Sequence, residues 1–128
     1  MAKPKNKIII PAIIIGLIAV AAIIYLTQSS TKPGRLDSFT QCLGQKSAAM
    51  YGTFWCSHCQ NQKRLFGSSV QYLPYVECST PDGKGQLPVC AKKNITGYPT
   101  WIFADGTRLS GEVTFQALSE KTGCQLPP

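Results

Sequence analysis

The sequence has 128 residues with thirteen basic and six acidic side chains, a net charge of +7, and six cysteines. This length allows one domain of ordinary size. The basic side chains are scattered and form no stripe interleaved with aromatic residues, so their distribution gives little support for nucleic-acid binding.

A charge-free apolar run covers residues 8–26. As a helix it would be roughly 28 Å long, close to the hydrocarbon thickness of a bilayer. Pro11 falls in the first turn, where its missing N–H has no intrahelical partner, and Tyr25 falls at the far interface. We therefore predict a single transmembrane helix over residues 8–26 that contacts membrane lipid.

The charges that flank this run predict its orientation. Lys3, Lys5 and Lys7 precede it, whereas only Lys32 and Arg35 follow closely. The positive-inside rule then favours a cytoplasmic N-terminus, residues 1–7, and a C-terminal domain that is periplasmic or otherwise extracytoplasmic or lumenal. A cleaved signal peptide is the alternative, but its apolar region is usually shorter and ends at small residues.

Residues 27–35 are polar and turn-rich, which is typical of a tether, and the folded domain is predicted over residues 36–128. Within the domain the patterns predict these elements: helix 37–43 ended by Gly44, strand 48–54, helix 56–66, a helical piece 68–73, strand 75–78, helix 87–94, a hairpin of strands 100–103 and 107–110, and helix 114–122. This order predicts an α/β fold with a small mixed sheet covered by helices on both faces.

Cys56 and Cys59 form a Cys-x-x-Cys pair, for which three roles compete. A zinc site usually needs four ligands, often as two such pairs, and only one is present. A disulfide across two residues would restrict the unfolded chain little and so would add little stability. Redox chemistry is therefore favoured, with no metal and no cofactor.

The spacing assigns a role to each cysteine. Cys56 opens a predicted helix, where unpaired N–H groups and the helix dipole stabilise a thiolate, so it is the candidate nucleophile. Cys59, one turn further in, can then displace whatever Cys56 has captured. His58, when protonated, would stabilise the thiolate further, although a solvent-facing residue without a role is the alternative. A stabilised thiolate makes the disulfide more oxidising, so the sequence favours disulfide donation.

Several motifs carry a family resemblance. The stretch Phe54-Trp55-Cys56-Ser57-His58-Cys59, followed later by Gly97-Tyr98-Pro99-Thr100, resembles the thioredoxin superfamily. Together with Met50-Tyr51-Gly52, Leu65-Phe66-Gly67 and Leu73-Pro74-Tyr75-Val76-Glu77-Cys78, it is more closely similar to the thioredoxin-like domain fused to bacterial and plant vitamin K epoxide reductase homologues. In that family the domain takes electrons from substrate thiols and passes them to a quinone-reducing membrane enzyme.

The resemblance implies particular site residues. Cys56 and Cys59 would be the redox pair, and Pro99 a cis-proline, with a trans turn proline as the alternative. Trp55 and Tyr98 would contact substrate, the backbone of Tyr98 by hydrogen bonds to an extended segment.

The sequence departs in two respects from the families that it resembles. One apolar helix cannot supply a quinone site, so a reductase like the vitamin K epoxide reductase would be a separate membrane partner. Many thioredoxins also carry a buried acid six residues before the first cysteine, where this chain has Met50. Without that acid the reductase direction loses a proton acceptor.

The other four cysteines permit three pairings. We favour the structural disulfides Cys78 with Cys90, which spans the loop before the third helix, and Cys42 with Cys124, which ties the opening helix to the closing one. A second, exchanging redox pair at Cys78 and Cys90 is the alternative.

The predicted function is a membrane-anchored extracytoplasmic thiol-disulfide oxidoreductase that oxidises or relays disulfides in cysteine-containing exported proteins. A tethered reductase or isomerase, for instance in cytochrome c maturation, is the first alternative. The second is a non-catalytic anchored binding module whose cysteines are structural or bind zinc.

Overall fold

The computed structural model describes residues 6–27 and 33–128, with side chains from residue 10 to 25 and from 33 onward. The predicted cytoplasmic terminus and linker fall largely on residues 1–5 and 28–32, which lie outside the described residues. The chain divides into two compact units, residues 1–32 and 33–128.

The first unit contains one helix, α1, at Asn6–Thr27. Every side chain described in it, from Ile10 to Tyr25, is exposed. No helix within the described parts of the chain has both the length and the apolar character needed to cross a membrane. The transmembrane helix predicted over residues 8–26 therefore stays a prediction.

The second unit alternates helices and strands. Its elements are α2 (Asp37–Gln45), β1 (Ala49–Gly52), α3 (Ser57–Leu65), a 3-10 helix (Gly67–Tyr72), β2 (Tyr75–Glu77), α4 (Pro88–Ala91), β3 (Thr100–Ile102), β4 (Arg108–Ser110) and α5 (Phe115–Thr122). This is the predicted order, and the mixed α/β class is confirmed.

Four strands form one mixed sheet in the order β2-β1-β3-β4. β1 runs parallel to β2, with Met50 opposite Tyr75, and antiparallel to β3, with Met50 opposite Trp101. β3 and β4 form an antiparallel hairpin. A parallel pair needs a long crossover connection, and here it contains α3, which places the start of that helix at the end of β1.

The two faces of the sheet carry separate clusters of buried side chains, because successive residues of a strand point to opposite faces. Met50 and Trp101 belong to the larger cluster, with residues of α2, α3 and α5 and the residue that follows α3: Phe39, Leu43, Cys59, Leu118 and Phe66. The smaller cluster contains Tyr51, Cys78, Cys90 and Ile95. The sheet is thus covered on both faces.

The predicted C-terminal end of α2, the first helix of the domain, was wrong. Gly44 does not terminate α2, which continues to Gln45, where the N–H of Lys46 bonds the carbonyl of Cys42. Asp37 is the first helical residue, and its carboxylate accepts a 2.8 Å hydrogen bond from the N–H of Gly34. Glycine is a weak helix former but is compatible with helix geometry, and here the hydrogen bond from Lys46 to Cys42 continues the helix through it.

The helix predicted over residues 87–94 was too long. α4 ends at Ala91, and Asn94 takes a left-handed backbone with φ of 52°. The N–H of Ile95 then bonds the carbonyl of Cys90, which closes the turn. Asparagine tolerates this conformation better than most residues, so the chain leaves the helix there.

Candidate active site

Cys56 and Cys59 are the two free cysteines among the described residues. Cys56 is the N-cap residue of α3, in an extended conformation with φ of −77°, and its side chain is partly exposed. Cys59 lies in the first turn of the same helix and is fully buried. Only Cys56 is therefore open to a substrate sulfur.

The Cys-x-x-Cys segment and the turn at Tyr98 and Pro99 meet at Cys56. The peptide bond between Tyr98 and Pro99 is cis, and Pro99 is buried just before β3. The thiol of Cys56 lies 3.6 Å from the carbonyl oxygen of Tyr98, to which its S–H donates. The structure thus brings together the cysteine pair and the proline turn that the resemblance assigned to one site.

Two aromatic rings form the surface beside Cys56. Trp55 is 55% exposed, and its ring packs edge-on against that of Tyr98, with centroids 6.0 Å apart. The indole N–H of Trp55 donates to the Oγ of Ser79 at 2.9 Å, and the amide of Gln86 lies 2.7 Å from the hydroxyl of Tyr98. Sequence reasoning did not identify Ser79 or Gln86, because their stretch carried only a loop signal.

His58 is exposed and does not point to a buried partner. Its Nδ1 lies 2.7 Å from the carboxylate of Glu112, which also accepts a 3.2 Å hydrogen bond from Asn61. Both hydrogen bonds lower the pKa of Glu112, and the one from His58 has the larger effect. Glu112 follows β4 and belongs to no motif, so no sequence pattern indicated this pair.

Replacing Glu112 by glutamine is expected to lower the melting temperature slightly near neutral pH. Because the pKa of Glu112 is lower in the folded state, its stabilisation is present above the ordinary glutamate pKa, about 4.3, and is lost as the pH falls through the folded value. Melting curves of both proteins between acidic and neutral pH measure this difference. It should shrink in a His58→Gln background, and an undiminished difference there would assign the effect to another neighbour.

Cys59 lies tightly against β1. A Cβ atom added at Gly52 would be 2.8 Å from the sulfur of Cys59 and 3.0 Å from the Cε2 of Tyr75. Only glycine allows this approach. Burial raises the pKa of Cys59 to about 12, partly opposed by a hydrogen bond from the backbone of Thr53. In the reduced protein Cys59 is therefore a thiol at neutral pH.

The remaining four cysteines form two disulfides. Cys42 pairs with Cys124 across 82 residues, and Cys78 pairs with Cys90 across 12. This is the pairing that the sequence favoured. Cys78 and Cys90 are both fully buried in the smaller cluster. Their burial favours a structural role over exchange with substrate, because an attacking sulfur has no access to them.

Comparison with known proteins gives two informative matches, although no family model matches the chain. The chain is 46% identical over 103 residues to a protein of Arabidopsis thaliana named thiol-disulfide oxidoreductase LTO1. It is 25% identical over 118 residues to a protein of Oryza sativa subsp. japonica named protein disulfide isomerase-like 5-1. The alignments cover 77% and 83% of this chain, respectively.

The chain spans 27% of the length of the Arabidopsis protein and 75% of that of the rice protein. These matches, the four-stranded mixed sheet and the cysteine pair at the start of α3 support a thioredoxin-like domain. They also support the predicted enzyme class, a thiol-disulfide oxidoreductase of the thioredoxin superfamily.

Proposed function

We propose that this chain is a thiol-disulfide oxidoreductase that oxidises or relays disulfides through Cys56 and Cys59. One observation carries the proposal: a partly exposed cysteine at the N-cap of α3 lies against the carbonyl of Tyr98, with a fully buried cysteine one turn behind it. In this geometry the sulfur of Cys56 is accessible to substrate, and the buried sulfur of Cys59 can displace a substrate bound to Cys56.

Disulfide donation starts from the oxidised pair. A substrate thiolate attacks the accessible sulfur of Cys56, a bond forms between them, and the bond between Cys56 and Cys59 breaks with its electron pair left on Cys59. A second substrate thiolate then attacks the first substrate sulfur and releases Cys56 as a thiolate. The substrate has lost two electrons, and the enzyme now holds two reduced cysteines, each protonated according to its surroundings.

The protein contributes to each step through position. Cys56 is the N-cap residue of α3. At that position the free N–H groups and the helix dipole favour a negative charge on its departing sulfur. The exposed ring of Trp55, held by Ser79, and the ring of Tyr98 provide an apolar surface for the residues that flank a substrate cysteine. His58, fixed by Glu112 at the same end of the helix, adds a positive charge when protonated.

In this proposal residues 8–26 tether the enzyme to a membrane and the domain acts on its extracytoplasmic side. The run carries no charge, and the side chains of α1 from Ile10 to Tyr25 are all exposed, which supports contact with lipid. The two disulfides favour an oxidising compartment, since cytosolic thiols are kept reduced.

The proposed substrates are cysteine-containing exported proteins, and the proposed partner is a membrane reductase like the vitamin K epoxide reductase. The family resemblance supports this partner, because the domain it resembles passes electrons to such an enzyme. Reoxidation of Cys56 and Cys59 by that partner would allow repeated turnover.

The reduction potential of the Cys56–Cys59 pair tests the direction of the reaction. We expect a value above about −230 mV in glutathione buffers, because the place of Cys56 at the positive end of the α3 dipole favours the reduced form. The purified oxidised protein should also introduce one disulfide per molecule into a reduced dithiol peptide. The Cys78→Ala/Cys90→Ala variant, in which the other nearby disulfide is absent, is the control and should do the same.

Two outcomes would replace the proposal. A potential near about −270 mV, typical of cytosolic thioredoxin, would assign the chain to the tethered reductases. Complete resistance of Cys56 to alkylation after mild reduction would instead assign it to non-catalytic binding modules.

A further inference from the structure

The buried sulfur of Cys59 presents a problem of charge. When a substrate thiolate displaces it from Cys56, Cys59 receives the electron pair in a site that is fully buried. An uncompensated negative charge in such a site is unfavourable. Met50, also fully buried, occupies the position six residues before Cys56, so β1 supplies no ionisable group there.

Lys63 provides a positive charge on the same side of α3. It lies four residues after Cys59, which puts the two side chains on one face of the helix, and it is half-buried. Its ammonium nitrogen lies 3.3 Å from the centroid of the Tyr75 ring. That ring lies near the Cys59 sulfur, because a Cβ atom added at Gly52 would be 3.0 Å from the ring and 2.8 Å from the sulfur.

Tyr75 is itself held in place by Glu77. The phenol of Tyr75 donates to one carboxylate oxygen of Glu77 at 2.8 Å. The other oxygen accepts three backbone N–H groups, at 2.9 to 3.3 Å, from Phe54, Cys78 and Ser79. These bonds satisfy the carboxylate. Burial is the main cause that raises the pKa of Tyr75, and the hydrogen bond to Glu77 is the second, so the ring stays neutral.

We propose that Lys63 stabilises the Cys59 thiolate as it leaves Cys56, and that Tyr75 and Glu77 are positioning residues that hold Lys63 beside it. In this step the substrate sulfur bonds to Cys56, the disulfide breaks, and the electron pair stays on Cys59, where the positive charge of Lys63 stabilises it. A proton from solvent later converts the thiolate to the buried thiol. This inference rests on the proposed function and assigns residues to its first step.

The other ionisable groups near Cys59 do not take this role. Cys56, at the start of α3, is the reaction partner, and in its anionic form it would repel a second thiolate. Tyr75 and Glu77, from β2, bring a neutral ring and an anion. Burial is the main influence on the pKa of Cys59 and raises it, whereas the charge of Lys63 acts in the opposite direction. Among the described residues that act on Cys59, Lys63 supplies the positive charge.

Reduction of the oxidised full chain by a small dithiol tests the proposal. The rate is followed by tryptophan fluorescence at several pH values. Each rate is divided by the concentration of reductant thiolate, which removes the effect of the reductant's own ionisation. Lys63→Met should lower this rate roughly fivefold to tenfold, because a leaving thiol with a higher pKa departs more slowly. Lys63→Glu should be slower still, and Lys63→Arg should stay within about twofold of the unmodified protein.

The order of rates by charge distinguishes this role from packing. Lys93→Met, at an exposed lysine beyond α4, is the matched control and should react at the original rate. Tyr75→Leu should slow the reaction, and should add nothing in a Lys63→Met background if the ring acts only through Lys63. Equal rates for Lys63→Met, Lys63→Glu and the original protein, or equal loss in Lys63→Arg and Lys63→Met, would overturn the proposal.

A second measurement separates this inference from the proposed function. In a Cys56→Ser chain, alkylation of Cys59 at alkaline pH, by a neutral reagent small enough to reach the buried sulfur, follows its thiolate fraction and requires no disulfide exchange. The rate should again fall in the order lysine or arginine, methionine, glutamate at residue 63. If the original protein exchanged no disulfides, the proposed function would fail. The expected order of alkylation rates would still support the role of Lys63 in stabilising the Cys59 thiolate. Equal alkylation rates in all variants at residue 63 would still exclude that role.

Discussion

The Cys59→Ala variant is expected to accumulate covalent complexes with substrate through Cys56, and its turnover should fall on the order of a thousandfold or more. Cys56 remains partly exposed at the N-cap of α3 and can still attack a substrate disulfide. The mixed disulfide then persists, because the sulfur that would displace the substrate has been removed. Non-reducing electrophoresis with a disulfide-containing peptide measures both the trapped species and its release by reductant.

The reciprocal variant serves as the control. Cys56→Ala should lose turnover equally but should trap nothing, because Cys59 is fully buried and its pKa of about 12 leaves it protonated at neutral pH. Trapping through Cys59 at a comparable rate would contradict the assigned roles. Double replacement of Cys78 and Cys90 by alanine should leave trapping by Cys59→Ala unchanged if that disulfide is structural.

Much of the fold follows from signals that are local in the sequence. α5 is an example: the hydroxyl of Thr114 accepts a hydrogen bond from the N–H of Ala117 at its start, and Gly123 ends it with φ of 73°. The Asp105-Gly106 step likewise lies in the turn between β3 and β4, as its composition predicted. Such features depend on residues within one turn, so a short window of sequence contains the necessary information.

The site was predictable only in part. The spacing of Cys56 and Cys59 and the proline turn identified its centre. The contacts of Glu112 with His58 and of Ser79 with Trp55 could not be predicted, because each joins parts of the chain that come together only after the strands have paired. The pairing of Lys63 with Tyr75 depends in the same way on how α3 packs beside β2. Sequence spacing alone does not specify such contacts across the fold.

Removal of the Cys42–Cys124 disulfide is expected to have the largest effect on stability. In the chain-entropy treatment, closing a loop of 82 residues stabilises the folded state by about 4.5 kcal/mol, since the unfolded chain loses conformational freedom. This is a large part of the roughly 5–15 kcal/mol of a typical domain. The Cys42→Ala/Cys124→Ala variant, unfolded by urea in mild detergent beside the original chain, measures the difference in free energy of unfolding.

The second disulfide provides a matched comparison of the same chemistry. Cys78→Ala/Cys90→Ala opens a loop of 12 residues and should cost about 3 kcal/mol by the same treatment. All four substitutions replace cysteine by alanine, so loop length is the main difference between the two variants. If the shorter loop proved the more costly, entropy of the unfolded chain could not be the cause. The loss would then come from the smaller cluster, where Cys78 and Cys90 pack with Tyr51 and Ile95.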